Sequence, residues 1–329
     1  MGDTWTAAVY GATGALGTEV RVGLEGLEVP IDTLIGIAGV RSAGATIPWR
    51  GARSGVIGAH EVDLGGLDLA IVATPSDVAA AEIPKLRERG VLVIDLSGAR
   101  AVGEGEPLPV VWPHVAIDAL ERHPGGFALP GGAASTVAPI LHALLDAGVS
   151  IAGVDVVELA TAGAFGRTGP EALSKQTIGL LGAKPFDDGP FREALAFNVV
   201  DAGEAEQERA TRLEGELREL LPGLTARLSL TTIFVPAFAG LTVVCTIRTS
   251  GELAPTEDLN AALDGHPDLD LMADGAVLRD AMDGDTVQVS PIRRGDDGTL
   301  RIVAVADPLH RIGQRAAILI KHVLDEDLW

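Results

Sequence analysis

The chain has 329 residues, with 25 Lys plus Arg against 46 Asp plus Glu, a formal charge of −21, and a single cysteine. That charge excludes a general nucleic-acid binder, because phosphate neutralisation needs clustered cations. One cysteine, Cys245, excludes an intramolecular disulfide and a Cys-rich zinc site.

The length suggests two domains, and 47% hydrophobic residues are enough to fill two cores. The N-terminus MGDTWTAAVYG has no basic segment followed by an apolar one, so no secretory signal is expected. No run of about 18 apolar residues occurs, so no spanning helix is expected, and the expected setting is cytoplasmic.

Residues 5–10 read as a short apolar strand that leads into Gly11-Ala-Thr-Gly-Ala-Leu-Gly17 and a helical pattern to about residue 27. A second strand is expected over 31–38. A third is expected over 67–73, an apolar run suited to burial on both faces of a parallel sheet. A helix over 77–89 ends at Gly90, and a strand over 91–95 follows. Strands alternating with helices predict a doubly wound, Rossmann-type parallel sheet. Residues 39–66 carry no assigned element.

Past the broken stretch at 125–133, helices are expected over 135–147, 170–181, 204–221 and 310–324. Strands are expected over 154–161, 226–234, 241–248, 285–290 and 300–306. Long strands with few intervening helices predict a second, α+β domain with a mixed or antiparallel sheet. The expected division is 1–130 plus 307–329 for dinucleotide binding and 131–306 for substrate and dimerisation.

Gly11, Gly14 and Gly17 stand where a dinucleotide loop belongs, after a first strand and opening a helix. Such glycines permit a tight turn and close approach of a pyrophosphate, and free N–H groups favour the anion. An NAD site usually has an acidic residue after its second strand. This chain has Arg41 and Ser42 there instead. A cation and a hydroxyl suit a ribose 2′-phosphate, so the expected cofactor is NADP, with NAD as the alternative.

GATGALG at 11–17, RSAG at 41–44, VIDLSGAR at 93–100, AFGRTG at 164–169 with Glu171, Leu173 and Gln176, and DPLHRIG at 307–313 together resemble the aspartate-semialdehyde dehydrogenases. N-acetyl-glutamyl-phosphate reductases are the next relatives. The resemblance spans essentially the whole chain. It implies NADP held by Gly11, Thr13, Gly14, Gly17, Arg41 and Ser42, and a phosphate ligand met by Arg100. It also implies a homodimer built through the second domain. The reaction it implies is reductive dephosphorylation of an acyl phosphate: a thiolate attacks, phosphate leaves, hydride reduces the thioester and a histidine shuttles the proton.

Against that pattern the chain departs at every polar catalytic position. The family's cysteine falls on Ala134, or on Ala133 with a one-residue slip. Pro236 and Gly240 keep the frame of the family's R-x-P-x-x-x-G-H run, in which the arginine has become Phe234 and the histidine Leu241. The family's glutamine falls near Ala160 or Thr161. Ser135 is expected to cap the following helix and not to act as nucleophile. Cys245 lies in an alternating apolar strand and reads as a small hydrophobe.

Arg209, on the Glu/Arg-rich helix, is the one nearby cation that could replace the family's phosphate-binding lysine. His310 reads as a surface residue at a helix start. The seven histidines have no metal-ligand spacing, and no metal is expected. The expectation is therefore a relative that binds NADP but has lost the thiol chemistry. The alternative is an active NADP-dependent oxidoreductase with a non-standard mechanism.

Overall fold

The structure is a computed structural model that describes residues 5–40, 42–99, 106–122, 125–326 and 328. The chain forms two compact units, Met1–Gly131 with Ile312–Trp329, and Gly132–Arg311.

The first unit is a parallel sheet with one antiparallel hairpin. Its elements are β1 (Trp5–Tyr10), α1 (Ala15–Gly26), β2 (Ile31–Ala38), β3 (Thr46–Trp49), β4 (Ala52–Gly58), β5 (Leu69–Val72), α2 (Ser76–Glu88), β6 (Leu92–Asp95) and β7 (Gly126–Ala128). The strand order is β3-β4-β2-β1-β5-β6-β7. The centre of the sheet is apolar on both faces, as the unbroken burial of β5 and β6 requires. β1 lies between β2 and β5, so the winding direction reverses there, and the crevice at its carboxyl end is where such sheets take ligands.

Sequence reasoning assigned nothing to the β3–β4 hairpin. Its strands are short and half-polar, and pairing rather than periodicity holds them. The turn at Arg50 and Gly51 has two residues at positive φ, the conformation a tight hairpin needs. Glu25 Oε1 accepts the Arg50 N–H at 2.9 Å and so fixes that turn to α1.

The second unit comprises α3 (Gly132–Asp146), β8 (Ser150–Ala160), α4 (Thr168–Leu181), β9 (Val200–Asp201), α5 (Glu206–Leu220), β10 (Arg227–Phe234), β11 (Leu241–Ser250), α6 (Thr256–Asp264), β12 (Leu269–Leu271), β13 (Val287–Val289), β14 (Arg293–Arg294) and β15 (Leu300–Ala306). The mixed sheet runs β12-β13-β15-β11-β8-β10-β9, with β14 on β15. Alternation along β11 buries Leu241, Val243, Cys245 and Ile247 on the face that α3 covers. On the opposite face Val157, Leu159, Val244 and Val303 stay half-buried.

α7 (Pro308–Asp325) closes the chain. Gly313 lets it approach α1 closely, since a Cβ there would fall 2.6 Å from Glu19 Cβ. The mixed sheet and the mostly parallel, doubly wound α/β sheet accord with the expected fold class. α6 and the short strands β12 and β14 were not foreseen.

One local expectation is corrected. α3 begins at Gly132, so Ser135 lies inside the helix and caps nothing; its hydroxyl donates back to the Gly132 carbonyl at 3.0 Å. Two glycines, Gly131 and Gly132, precede the first side chains of the helix, and the chain turns helical before any capping residue is reached.

Candidate functional site

The glycine loop begins where β1 ends. Gly11 has φ +82°, and a Cβ on it would sit 2.4 Å from the Ala73 carbonyl oxygen. A Cβ on Gly17 would sit 2.4 Å from the Gly11 carbonyl oxygen. The Gly11 N–H donates to Ile37 O at 2.8 Å and that of Gly14 to Gly11 O at 2.8 Å. The loop is thereby tied to both neighbouring strands and folded into a tight turn.

Gly14 is the residue before α1 and has no side chain to cap it. Backbone N–H groups at this end are left for an anion, and the helix dipole favours one. Thr74, which follows β5, lies against Gly11, and its Oγ is buried with no hydrogen-bond partner among the described residues. A cradle that no side chain can fill, edged by an orphaned hydroxyl, fits a dinucleotide pyrophosphate. Sequence reasoning missed Thr74. The signal was available, because strands flanking β1 also deliver their carboxyl ends to that crevice.

Thr13 is half-buried in the same loop. Ser42 is half-buried beyond β2, its N–H on Gly39 O at 2.9 Å. Arg41 and Arg100 lie outside the described residues. The turn before Arg100 is built on Asp95, a buried carboxylate that accepts the Ser97 N–H at 2.8 Å and the Ser97 hydroxyl at 2.6 Å.

In the second unit, strand register brings together the positions at which the resemblance places the family's polar residues. Phe234 pairs with Ala160, Ala160 with Leu241, and Leu241 with Ala306. Four adjacent strands thus contribute one row, and every side chain in it is apolar. Ala134 is buried in the first turns of α3, and a Cβ on Gly132 would lie 3.8 Å from Leu241 Cδ2. The start of α3 therefore stands over Leu241. Thr161, next to the row, has its hydroxyl donated to Gly240 O at 2.8 Å.

Phe234 packs its ring 4.9 Å from that of Phe165, in a cluster with Leu173, Phe191 and Leu195. Gln176, on α4, organises the chain beneath that cluster: Nε2 donates to Asp188 O at 3.0 Å, and Oε1 accepts the N–H groups of Leu195 and Ala196 at 2.9 and 3.1 Å.

Cys245 is fully buried on β11, on the same sheet face as Leu241 but roughly 14 Å along the strand at about 3.4 Å per residue. Burial pushes its thiol up to about 12. Thiolate, the nucleophilic form, is then negligible at neutral pH.

Arg209 is held by the buried carboxylate of Glu158 at 2.6 Å and by Thr232 Oγ at 3.2 Å, with its guanidinium 5.8 Å from the Phe234 ring centre. Sequence reasoning left this cation for a phosphate; in the structure it completes an internal ion pair. His310 is also not the surface residue expected: its side chain is 18% exposed, and Nε2 lies 3.2 Å from Asp285.

Arg311, in the same motif, is fully buried and donates to Ser135 O at 3.1 Å. The reason lies four residues on. Pro139 sits inside α3 and has no N–H, so Ser135 O loses its intrahelical donor, and Arg311 supplies one. Among the described residues, no group of three or more His, Cys, Asp or Glu could hold a metal ion, and no helix is long and apolar enough to cross a membrane.

Comparison with known proteins agrees with this geometry. Residues 6–123 match the family model of the semialdehyde dehydrogenase NAD-binding domain. The chain is 28% identical to a USG-1 protein homolog of Pseudomonas aeruginosa, with 98% of each covered. The crystal structure of aspartate semialdehyde dehydrogenase II from Vibrio cholerae is similar, with a TM-score of 0.88 at 25% identity, covering 99% of this chain and 100% of that one. A probable aspartate-semialdehyde dehydrogenase from Pseudomonas aeruginosa gives a TM-score of 0.90 at 25% identity, with 98% and 99% covered. Residues 6–123 thus match a semialdehyde dehydrogenase NAD-binding domain, and over nearly its whole length the chain is similar in sequence and fold to aspartate-semialdehyde dehydrogenases.

Proposed function

We propose that this chain binds NADP and does not carry out the thiol-dependent reductive dephosphorylation of its relatives. The observation that supports this most directly is the apolar row Phe234–Ala160–Leu241–Ala306 beneath Ala134. Acyl transfer to a thiol needs a thiolate, a proton shuttle and a clamp for the substrate carboxylate. The row offers none of these. The only cysteine is buried elsewhere with its thiol pushed up to about 12.

On the cofactor side, Gly11, Gly14 and Gly17 would cradle the pyrophosphate with backbone N–H groups, and Thr13 and Thr74 would line it. Arg41 and Ser42 would meet a ribose 2′-phosphate, which favours NADP over NAD. A bound nicotinamide supplies hydride transfer; this chain's own residues bind and orient it. Arg100 would meet a phosphate-bearing ligand. The protein then acts by binding, as a regulatory or partner protein, in the cytoplasm. The resemblance implies a homodimer, and the uncovered, half-buried face of the second sheet supports pairing through that unit.

Titration of NADPH and NADH fluorescence against the protein tests the cofactor half; micromolar NADPH binding, tighter than NADH, is expected. An assay with aspartate semialdehyde, phosphate and NADP tests the rest, and no turnover is expected. Turnover that Cys245→Ala abolishes would overturn the reading, as would failure to bind either dinucleotide.

A further inference from the structure

The turn after β2 carries the most exposed large apolar side chain among the described residues. Val40 is 91% exposed, and the next in the first unit, Val22, is 46% exposed. A single exposed apolar residue on a helix surface is ordinary. Val40 instead stands on a turn that the backbone fixes.

The Ser42 and Ala43 N–H groups both donate to Gly39 O, at 2.9 and 3.2 Å. Beyond them the Gly44 N–H donates to Val56 O at 2.8 Å, and the Val56 N–H donates to Ala45 O at 3.0 Å. Those bonds tie the far side of the turn to β4. Val40 is thus held out in solvent by an anchored turn.

The turn also stands beside the glycine loop. Ile37 O, on β2, accepts the N–H groups of Gly11 and Ala12 at 2.8 and 3.2 Å. Val40 follows that shared carbonyl by three residues, and Arg41 comes next in the sequence. A dinucleotide with its pyrophosphate on the glycine loop and its 2′-phosphate at Arg41 and Ser42 brings its adenine to this turn. Cofactor sites cover such flat rings with apolar side chains and orient them with a few polar groups.

We propose that Val40 is an adenine-contact residue, its isopropyl group covering one face of the ring. The inference rests on the cofactor reading above and adds a contact of a different kind. Arg41 and Ser42 serve the 2′-phosphate, which only NADP carries, whereas Val40 serves the adenine that NADP and NAD share. A β-branched side chain suits the task, because it has little rotamer freedom to lose on contact. An anchored turn likewise lowers the ordering cost of binding.

The test titrates NADPH and NADH fluorescence against the full-length protein and its Val40→Ala and Val40→Ile variants. Val40→Ala is expected to weaken both dinucleotides by the same factor, about three- to tenfold, and Val40→Ile to keep both affinities. The thermal midpoint without ligand is expected to stay unchanged, since the side chain fills no core.

A variant that merely disturbed the turn would weaken NADPH more than NADH, because Ser42 and Arg41 share that segment. That result overturns the inference. So do unchanged affinities in Val40→Ala when the wild type binds, and in both cases the cofactor reading stands. A wild type that binds neither dinucleotide overturns both.

Discussion

Cys245 carries the sharpest consequence of the structure. An ordinary thiol near 8.5 is about a quarter thiolate at pH 8. With the thiol pushed up to about 12, the thiolate fraction at pH 8 falls to roughly 10⁻⁴, about two thousandfold less reactive before access is counted. Access removes more, because the side chain is fully buried in β11. Iodoacetamide labelling at pH 8, followed by mass spectrometry, should therefore be at least three orders of magnitude slower in the native protein than in guanidinium.

The same shift has a sign at high pH. Below about 7.5 the thiol is protonated in both folded and unfolded chains and contributes no slope. As pH rises through about 8.5 and on towards 12 the unfolded chain has lost this proton and the folded chain keeps it, so stability falls as pH rises. Cys245→Ala should flatten that alkaline limb, at a cost of about 1–2 kcal/mol at neutral pH for the lost packing. Native labelling within about tenfold of the unfolded rate would refute the reasoning, and with it the claim that this thiol cannot act as a nucleophile.

Three further outcomes follow from named contacts. Gly11→Ala places a Cβ 2.4 Å from a backbone oxygen at positive φ, and should destabilise the first unit by more than about 2 kcal/mol and weaken NADPH binding at least about tenfold, read by denaturant unfolding and by fluorescence titration. Gln176→Leu strands two buried N–H groups and a carbonyl, and should cost roughly 2–4 kcal/mol in urea unfolding without altering dinucleotide affinity. Arg311→Met should cost about 2–3 kcal/mol, and about 1 kcal/mol of that should vanish in a Pro139→Ala background, where the helix regains an N–H for Ser135 O; a double-mutant cycle with no coupling would reject this pairing.

Elements whose pattern is local were legible in the sequence. Ile31–Ala38 and Leu300–Ala306 have the bounds that their apolar runs suggest. The glycine loop followed from its place between a strand and a helix. The β3–β4 hairpin did not, because Thr46–Trp49 is only four residues long and its partner holds two glycines. At the site, the frame set by Pro236 and Gly240 located Phe234 and Leu241, but spacing along one strand cannot say which residue of another strand stands beside them. The partners of Arg209 and Arg311 were illegible for the same reason. Glu158 is 51 residues from Arg209, and Ser135 is 176 residues from Arg311. Charge counts on a helix say that cations are present and not where they are spent.

On the proposed reading, the geometry gives a reason for the polar residues to be absent together. Leu241 is 4% exposed and Ala160 1% exposed, so a lone histidine or glutamine in that row would bury a polar group with no thiol, substrate or clamp to receive it. An arginine in place of Phe234 would bring a second guanidinium beside Arg209, whose charge Glu158 already matches, and would remove the ring that packs on Phe165. Once the nucleophile is an alanine, each remaining polar group in the row is a liability and each apolar replacement gains burial. The row is stable as four apolar residues or as a fully partnered polar site, and single steps between the two are unfavourable. That is a physical reason to read Ala134, Phe234 and Leu241 as one change rather than three. The glycine cradle is under no such pressure: its backbone N–H groups and the Thr74 hydroxyl stay suited to a dinucleotide whatever stands in the row.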